Sequence, residues 1–167
     1  DRLSPAIAGV FNTSFDKSIV PKSFKSAVVR PILKKPGLDS QVLANYRPVS
    51  LLPFLSKVLE KIVAKQLTAH IEKHNLSGRF QSGFRRRHST ETVLLRVASD
   101  ILSSNDSGKV TALVLLDLSA AFDTVDHQIL LDRLASRVGL ADETLAWFKS
   151  YLSERVQSVS CCGQMSS

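Results

Sequence analysis

The feature that most narrows what this chain can become is the run VTALVLLD at Val110–Asp117, continued by LSAAFDTVDH to His127. Nothing between Lys109 and Asp117 is charged, and Asn105, Asp106 and Gly108, residues that interrupt regular structure, stand just before it. An apolar run of this length after turn signals predicts a β-strand buried on both faces, with Asp117 at its C-terminal end. A carboxylate there is a hard oxygen donor. Mg²⁺ takes one or two such donors together with substrate phosphates, so phosphoryl transfer is the first chemistry the run suggests. The same residues have a plainer reading, because Asp also caps turns and helices. Asp126 reads as the cap of a helix over residues 127–138, Asp123 as another cap, and Phe122 taken alone as core.

The chain has 167 residues, 44% of them hydrophobic, which is enough for one domain or part of one with its own core. It begins at Asp1 and its single methionine is Met165, so it reads as a piece of a longer product. The net charge of +7 is concentrated at Lys22, Lys25, Arg30, Lys34 and Lys35, and again at Arg85, Arg86 and Arg87 beside His88. Such clusters suit a polyanionic partner, most simply nucleic acid, although a solvated face has the same composition. Cys161 and Cys162 are adjacent, which is neither a disulfide framework nor a metal-ligand spacing, and predicts a reduced, intracellular setting. No stretch approaches the roughly 18 apolar residues of a membrane span, and no targeting signal is legible.

Periodicity sketches the rest. Residues 3–15 carry a helical pattern in Ile7, Val10, Phe11 and Phe15. From Phe24 to Lys35 the pattern alternates, with Ala27, Val29, Pro31 and Leu33 on one face and Val28, Arg30, Ile32 and Lys34 on the other. Pro31 predicts an edge strand or a bulge there, and Pro36–Gly37 a turn. Tyr46–Leu52 reads as a second strand. Phe54–Ile71 is the clearest helix, with Leu55, Val58, Leu59, Ile62, Leu67 and Ile71 in one stripe. A loop carrying QSGFRRRHS follows, in which Gly83 permits close approach or a positive φ. A helix over 90–102 is next, capped by Ser89 or Thr90, with Val93, Leu94, Val97 and Ile101 inward. Helices over 127–138 and 142–153 and a strand from Gln157 to Cys161 complete the reading. Strands and helices mix without strict alternation, which predicts an α+β fold.

With these segments in order, the chain resembles the reverse transcriptase domain of LINE-type, non-LTR retrotransposons. The matching pieces are PKSFKSAVVRPILKK at Pro21–Lys35, NYRPVSLL at Asn45–Leu52, KVLEK at Lys57–Lys61 and QSGFR at Gln81–Arg85. LDLSAAFDTVDH at Leu116–His127 and WFKSYLSERVQSV at Trp147–Val159 complete the set. Phe24 departs from it, standing where the family usually has Trp.

The resemblance implies a partial right-hand polymerase: fingers and palm helices over about 1–105 and an incomplete palm over about 106–167. It implies that Asp117 is a catalytic aspartate binding Mg²⁺, with the backbone carbonyl of Leu118 as a further ligand. Arg47, with Lys34 or Lys35, would meet the incoming triphosphate, and Phe122 would be the aromatic gate that excludes a ribose 2′-hydroxyl. Arg85, Arg86 and Arg87 would touch backbone phosphates. The implied partners are an RNA template, a DNA primer and deoxynucleoside triphosphates. The family's P-Q-G motif and its Tyr/Phe-Ala-Asp-Asp hairpin have no counterpart here, so the chain alone is expected to be inactive. It is also expected to self-associate through an uncovered palm strand. Two other readings stand beside this one: a nucleic-acid-binding relic without catalysis, and a phosphatase or phosphoacceptor using Asp117 alone, which leaves the NYRP and QSGFR pieces unexplained.

Overall fold

The computed structural model describes residues 3–118, 121–161 and 163–166. Ser119 and Ala120 of the Leu116–His127 motif, and Cys162, lie outside the described residues. The elements are α1 (Leu3–Asp16), β1 (Ser26–Leu33), β2 (Tyr46–Leu51), α2 (Phe54–Lys73), α3 (Thr90–Asp106), α4 (His127–Ser136), α5 (Asp142–Leu152), β3 (Val156–Cys161) and β4 (Gln164–Met165). Helices and one mixed sheet make the fold α+β. The chain divides into two compact units, residues 1–73 with 126–167, and residues 74–125.

The first unit holds the sheet, in the order β2-β1-β3-β4. β1 and β2 are antiparallel, with Val28 opposite Leu51 and Leu33 opposite Tyr46. The turn at Pro36–Gly37 follows β1, with Gly37 at φ 84°, the left-handed region that glycine enters without steric cost. On its other side β1 pairs in parallel with β3 over Ser26–Val29 and Val156–Val159. β1 is therefore an inner strand, not the edge that Pro31 suggested. The proline is tolerated because the β3 ladder stops at Val29, so no partner on that side asks Pro31 for an N–H. The expected alternation holds, with Val29 buried and Arg30 and Ile32 exposed.

The core of this unit is Phe11, Val20, Phe24, Leu59 and Trp147, with Ile7, Phe15, Leu55, Val58, Ile62, Phe148 and Tyr151 packed around it. It joins α1, α2 and α5 because each brings an apolar stripe; Leu59, 2% exposed, comes from the stripe that marks α2 in the sequence. Phe24, where the family usually has Trp, is buried and meets Phe11 edge-on. Val10, expected inward on α1, is instead 44% exposed; its neighbour Phe11 takes the core position.

Several buried polar groups around this core are paired, which offsets the cost of burying them, whereas Ser18 Oγ is buried without a hydrogen-bond partner. Trp147 Nε1 donates to Ser14 Oγ at 3.1 Å, and Ser14 Oγ donates to the Ile19 carbonyl at 2.7 Å. Ser56 Oγ donates to the Phe24 carbonyl at 3.0 Å, and the Val20 N–H to Ser150 Oγ at 3.0 Å. Asp126 caps α4 as expected, its carboxylate accepting from the Ile129 N–H at 2.9 Å.

In the second unit no described residue is buried. α3 begins with a reciprocal cap: the Thr92 N–H donates to Ser89 Oγ at 3.2 Å and the Ser89 N–H to Thr92 Oγ1 at 3.0 Å. The helix runs on to Asp106, and Leu94, expected inward, is 61% exposed.

The run at 110–117 departs most from expectation. It forms no strand, and Val110, Leu113, Val114, Leu115 and Leu116 are between 57% and 100% exposed. The physical reason is local to strands. A helix closes its own hydrogen bonds, but an apolar run becomes a strand only where another strand takes its N–H and C=O groups and other layers cover its faces. Among the described residues none of β1–β4 pairs with it.

Candidate functional site

Three groups of residues carry the predicted chemistry. The first is on the β1–β2 hairpin. Residues directly opposite in an antiparallel pair share a face, and the register sets Arg47 opposite Ile32 and Val49 opposite Arg30. Alternation then puts Arg30, Lys34 and Arg47 on the same face. Lys34 continues the ladder, its N–H donating to the Asn45 carbonyl at 2.8 Å, while its Nζ donates to the Ala44 carbonyl at 2.7 Å. Lys34 thus clamps the end of the hairpin, whereas Arg47 and Lys35 are exposed. Arg47 presents a planar fork of donors suited to phosphate oxygens. Arg30 was not singled out as a site residue; parity with Lys34 was the available signal, but only the register brings Arg47 to the same face.

The second group is the loop before α3, built from tight turns: Gln81 N–H to Gly78 O, Arg85 N–H to Ser82 O and His88 N–H to Arg85 O, at 3.0, 3.3 and 3.3 Å. Arg85 is half-buried and its Nη1 donates to the Gln81 carbonyl at 3.4 Å, so it braces its own loop. Arg86 and Arg87 are exposed. Gly83, read as permitting close approach or a positive φ, does not take the positive φ. Phe84 and Arg87 do, at 59° and 60°, a conformation costly for side chains with a Cβ.

The third group is the segment after α3. Asp117 is exposed, Leu118 is 78% exposed and Phe122 is 86% exposed, so Phe122 is not core. Asp117 suits a divalent cation as one hard oxygen donor. Mg²⁺ holds a near-octahedral shell and is kept by carboxylates with substrate phosphates and waters. Among the described residues no three His, Cys, Asp or Glu side chains gather into a metal-binding cluster. Asp117 therefore belongs to no such cluster, and one carboxylate does not by itself make a metal site.

One strongly shifted proton in the first unit is a feature that periodicity does not reveal. Burial pushes the Tyr151 phenol up to about 12, assisted by its hydrogen bond to Glu60 Oε1 at 2.8 Å and the charge of that carboxylate. Tyr151 stacks on Trp147 with ring centroids 5.5 Å apart, and the Arg155 guanidinium lies 4.7 Å from its ring centre. The WFKSY piece thus builds scaffold between α2 and α5.

These residues fall in a sequence with clear relatives. The profile of the family described as reverse transcriptase (RNA-dependent DNA polymerase) matches residues 32–166. The chain belongs to the reverse transcriptase family. Its relatives among characterised sequences are mobile-element proteins. It is 34% identical over 146 residues to the "Probable RNA-directed DNA polymerase from transposon X-element" of Drosophila melanogaster, covering 87% of this chain and 16% of that protein. To the RNA-directed DNA polymerase from mobile element jockey of the same fly it is 33% identical over 167 residues, 100% of this chain and 18% of that protein. It is 29% identical over 134 residues to the Pol polyprotein from type-1 retrotransposable element R2 of Popillia japonica, 80% of this chain and 18% of that protein. The chain thus spans under a fifth of the length of each of these relatives. Membership of the LINE-type reverse transcriptases, expected from the motifs, is what these matches show. No described helix is long and apolar enough to cross a membrane.

Proposed function

We propose that this chain supplies nucleotide- and nucleic-acid-contacting parts of an RNA-directed DNA polymerase, one that extends a DNA primer on an RNA template with deoxynucleoside triphosphates. In this reading residues 1–105 contribute fingers and palm helices, and 106–167 part of the palm. Arg47, with Lys34 and Lys35, meets the triphosphate; Phe122 gates the sugar; Arg85, Arg86 and Arg87 hold backbone phosphates. Asp117, with the Leu118 carbonyl, would contribute ligands to Mg²⁺, whose chemistry when bound would be to lower the pKa of a primer hydroxyl and neutralise charge at the phosphate. The supporting observation is the family match over residues 32–166, which contains every one of these positions in order. The shared face of Lys34 and Arg47 adds a geometric reason.

Binding of an RNA–DNA primer–template, followed as a function of salt, tests the reading. Replacing Arg85, Arg86 and Arg87 together by alanine is expected to lower the slope of log affinity against log salt by about 2, since each lost phosphate contact removes roughly 0.7–0.9. An unchanged slope refutes the assignment of these arginines. A second reading, a nucleic-acid-binding module without catalysis, draws on the exposed basic residues Arg86 and Arg87. Primer extension that is abolished by Asp117→Ala would eliminate it.

A further inference from the structure

Phe80 stands just before the QSGFR piece and carries no role in the function proposed above. Phe80 is 72% exposed, so its ring is open to a partner. Two guanidinium groups converge on it. The Arg79 Cζ lies 5.2 Å from the ring centroid and the Arg96 Cζ 4.9 Å, one from the loop and one from the second turn of α3. Both lie within the roughly 6 Å over which the negative face of an aromatic ring attracts a cation.

The charge of these arginines is not neutralised by carboxylates. From Arg79 to Arg96 inclusive there are five arginines and one acidic residue, Glu91, whose carboxylate accepts from Ser89 Oγ at 3.3 Å. Among the described residues the one ion pair is Lys22 with Glu154. Two like charges are therefore held against one ring, and both arginines are exposed.

We propose that Phe80, flanked by Arg79 and Arg96, is a stacking seat for single-stranded nucleic acid. The base packs on the ring or on a guanidinium plane, and the remaining donors take the adjacent phosphates. Alternating flat apolar surface with forked cations matches a strand that alternates bases and phosphates. An acidic peptide would use the charges and leave the ring idle. The inference deepens the nucleic-acid side of the proposed function and rests on it, but it does not involve Asp117.

The test is fluorescence anisotropy of the full chain with a short labelled oligouridylate, the matching oligothymidylate and a labelled polyglutamate peptide, each over a salt series. Phe80→Ala is expected to weaken oligonucleotide binding roughly five- to one-hundred-fold with the salt slope unchanged, because stacking releases no counterions. Phe80→Trp is expected to keep affinity, and the new indole to be quenched on binding; Trp147, the chain's one tryptophan, is 4% exposed and serves as an internal reference. Joint replacement of Arg79 and Arg96 by alanine is expected to lower the slope by about 1.4, at roughly 0.7 per single-strand contact. A Phe80→Ala loss on only one oligonucleotide still supports the seat and names the strand that occupies it. Phe80→Ala binding both within two-fold of wild type overturns the proposal. So does polyglutamate binding as well as the oligonucleotides. If the unaltered chain binds neither oligonucleotide at low salt, the broader nucleic-acid reading fails first.

Discussion

Removing the Tyr151 hydroxyl should flatten the stability of this protein above pH 10. The phenol is pushed up from 10.0 to about 12, first by burial, which disfavours phenolate, and then by the hydrogen bond and negative charge of Glu60. Arg155 pulls in the opposite direction without overcoming them. Because the folded-state value is raised, the contribution is complete below pH 10 and is lost as pH rises towards and through 12. A shift of two units corresponds to about 3 kcal/mol in full, of which about 1.4 kcal/mol is gone by pH 11, with screening at this partly exposed site making both upper bounds. The chain has two tyrosines, Tyr46 and Tyr151, so tyrosinate absorbance can be followed residue by residue. Tyr151→Phe should delete the later ionisation step. Denaturant unfolding at pH 9 and pH 11 should show wild type losing about 1 kcal/mol more than Tyr151→Phe, a difference in which lysine titration cancels. Glu60→Gln, which keeps an acceptor and removes the charge, should bring the step part of the way down. If the late step survives in Tyr151→Phe, or the two variants lose stability equally, the argument from Glu60 and burial is wrong.

Other consequences follow from the same structure. Leu59→Ala empties the most buried position of the core and should cost about 2–5 kcal/mol, read as a lower denaturant midpoint at constant m; a cost under 1 kcal/mol would mean the α1–α2–α5 core is not the stabilising one. Mg²⁺ or a chelator should leave the thermal midpoint of the isolated chain unmoved, since among the described residues no three His, Cys, Asp or Glu side chains gather to hold the ion, and a clear upward shift with Mg²⁺ would reveal a fuller donor set. Leu115 and Leu116, 84% and 91% exposed, should drive concentration-dependent association in sedimentation, and Leu115→Lys should reduce it; a monomer at all concentrations refutes the exposed run as an association surface.

What could be read in advance divides by the range of the interactions involved. α2 was legible nearly to its ends because its stripe and its hydrogen bonds are both local. The caps at Ser89 and Asp126 were legible for the same reason, each side chain closing onto a backbone N–H three residues on. The parallel pairing of β1 with β3 was not, because it joins Ser26–Val29 to Val156–Val159 and no local pattern names a strand's distant partner. The bond from Trp147 to Ser14 is of the same kind. The run at 110–117 is the instructive failure. Composition states that Leu113–Leu116 favour burial, but burial needs partners, and these residues contain no information about which strand would supply them.

The site divides along the same line, which bears on how Lys34 and Phe80 should be weighed. Motif matching gave Lys34 and Lys35 equal standing, yet Lys34 Nζ is committed to the Ala44 carbonyl at 2.7 Å and Lys35 is not. One bond to its own hairpin occupies one of the three donors of that ammonium and leaves two for a phosphate. Lys34 can therefore tie the end of the hairpin and still keep its place beside Arg47 in the proposed triphosphate contact. Phe80 shows the converse. Nothing in its local sequence separates it from an ordinary core aromatic, because its partner Arg96 is reached only after a loop of turns and the first turn of α3 have set the direction of approach. Charge in a sequence tells where phosphate could be attracted; only the fold tells which cations are already bonded within it and which are held ready.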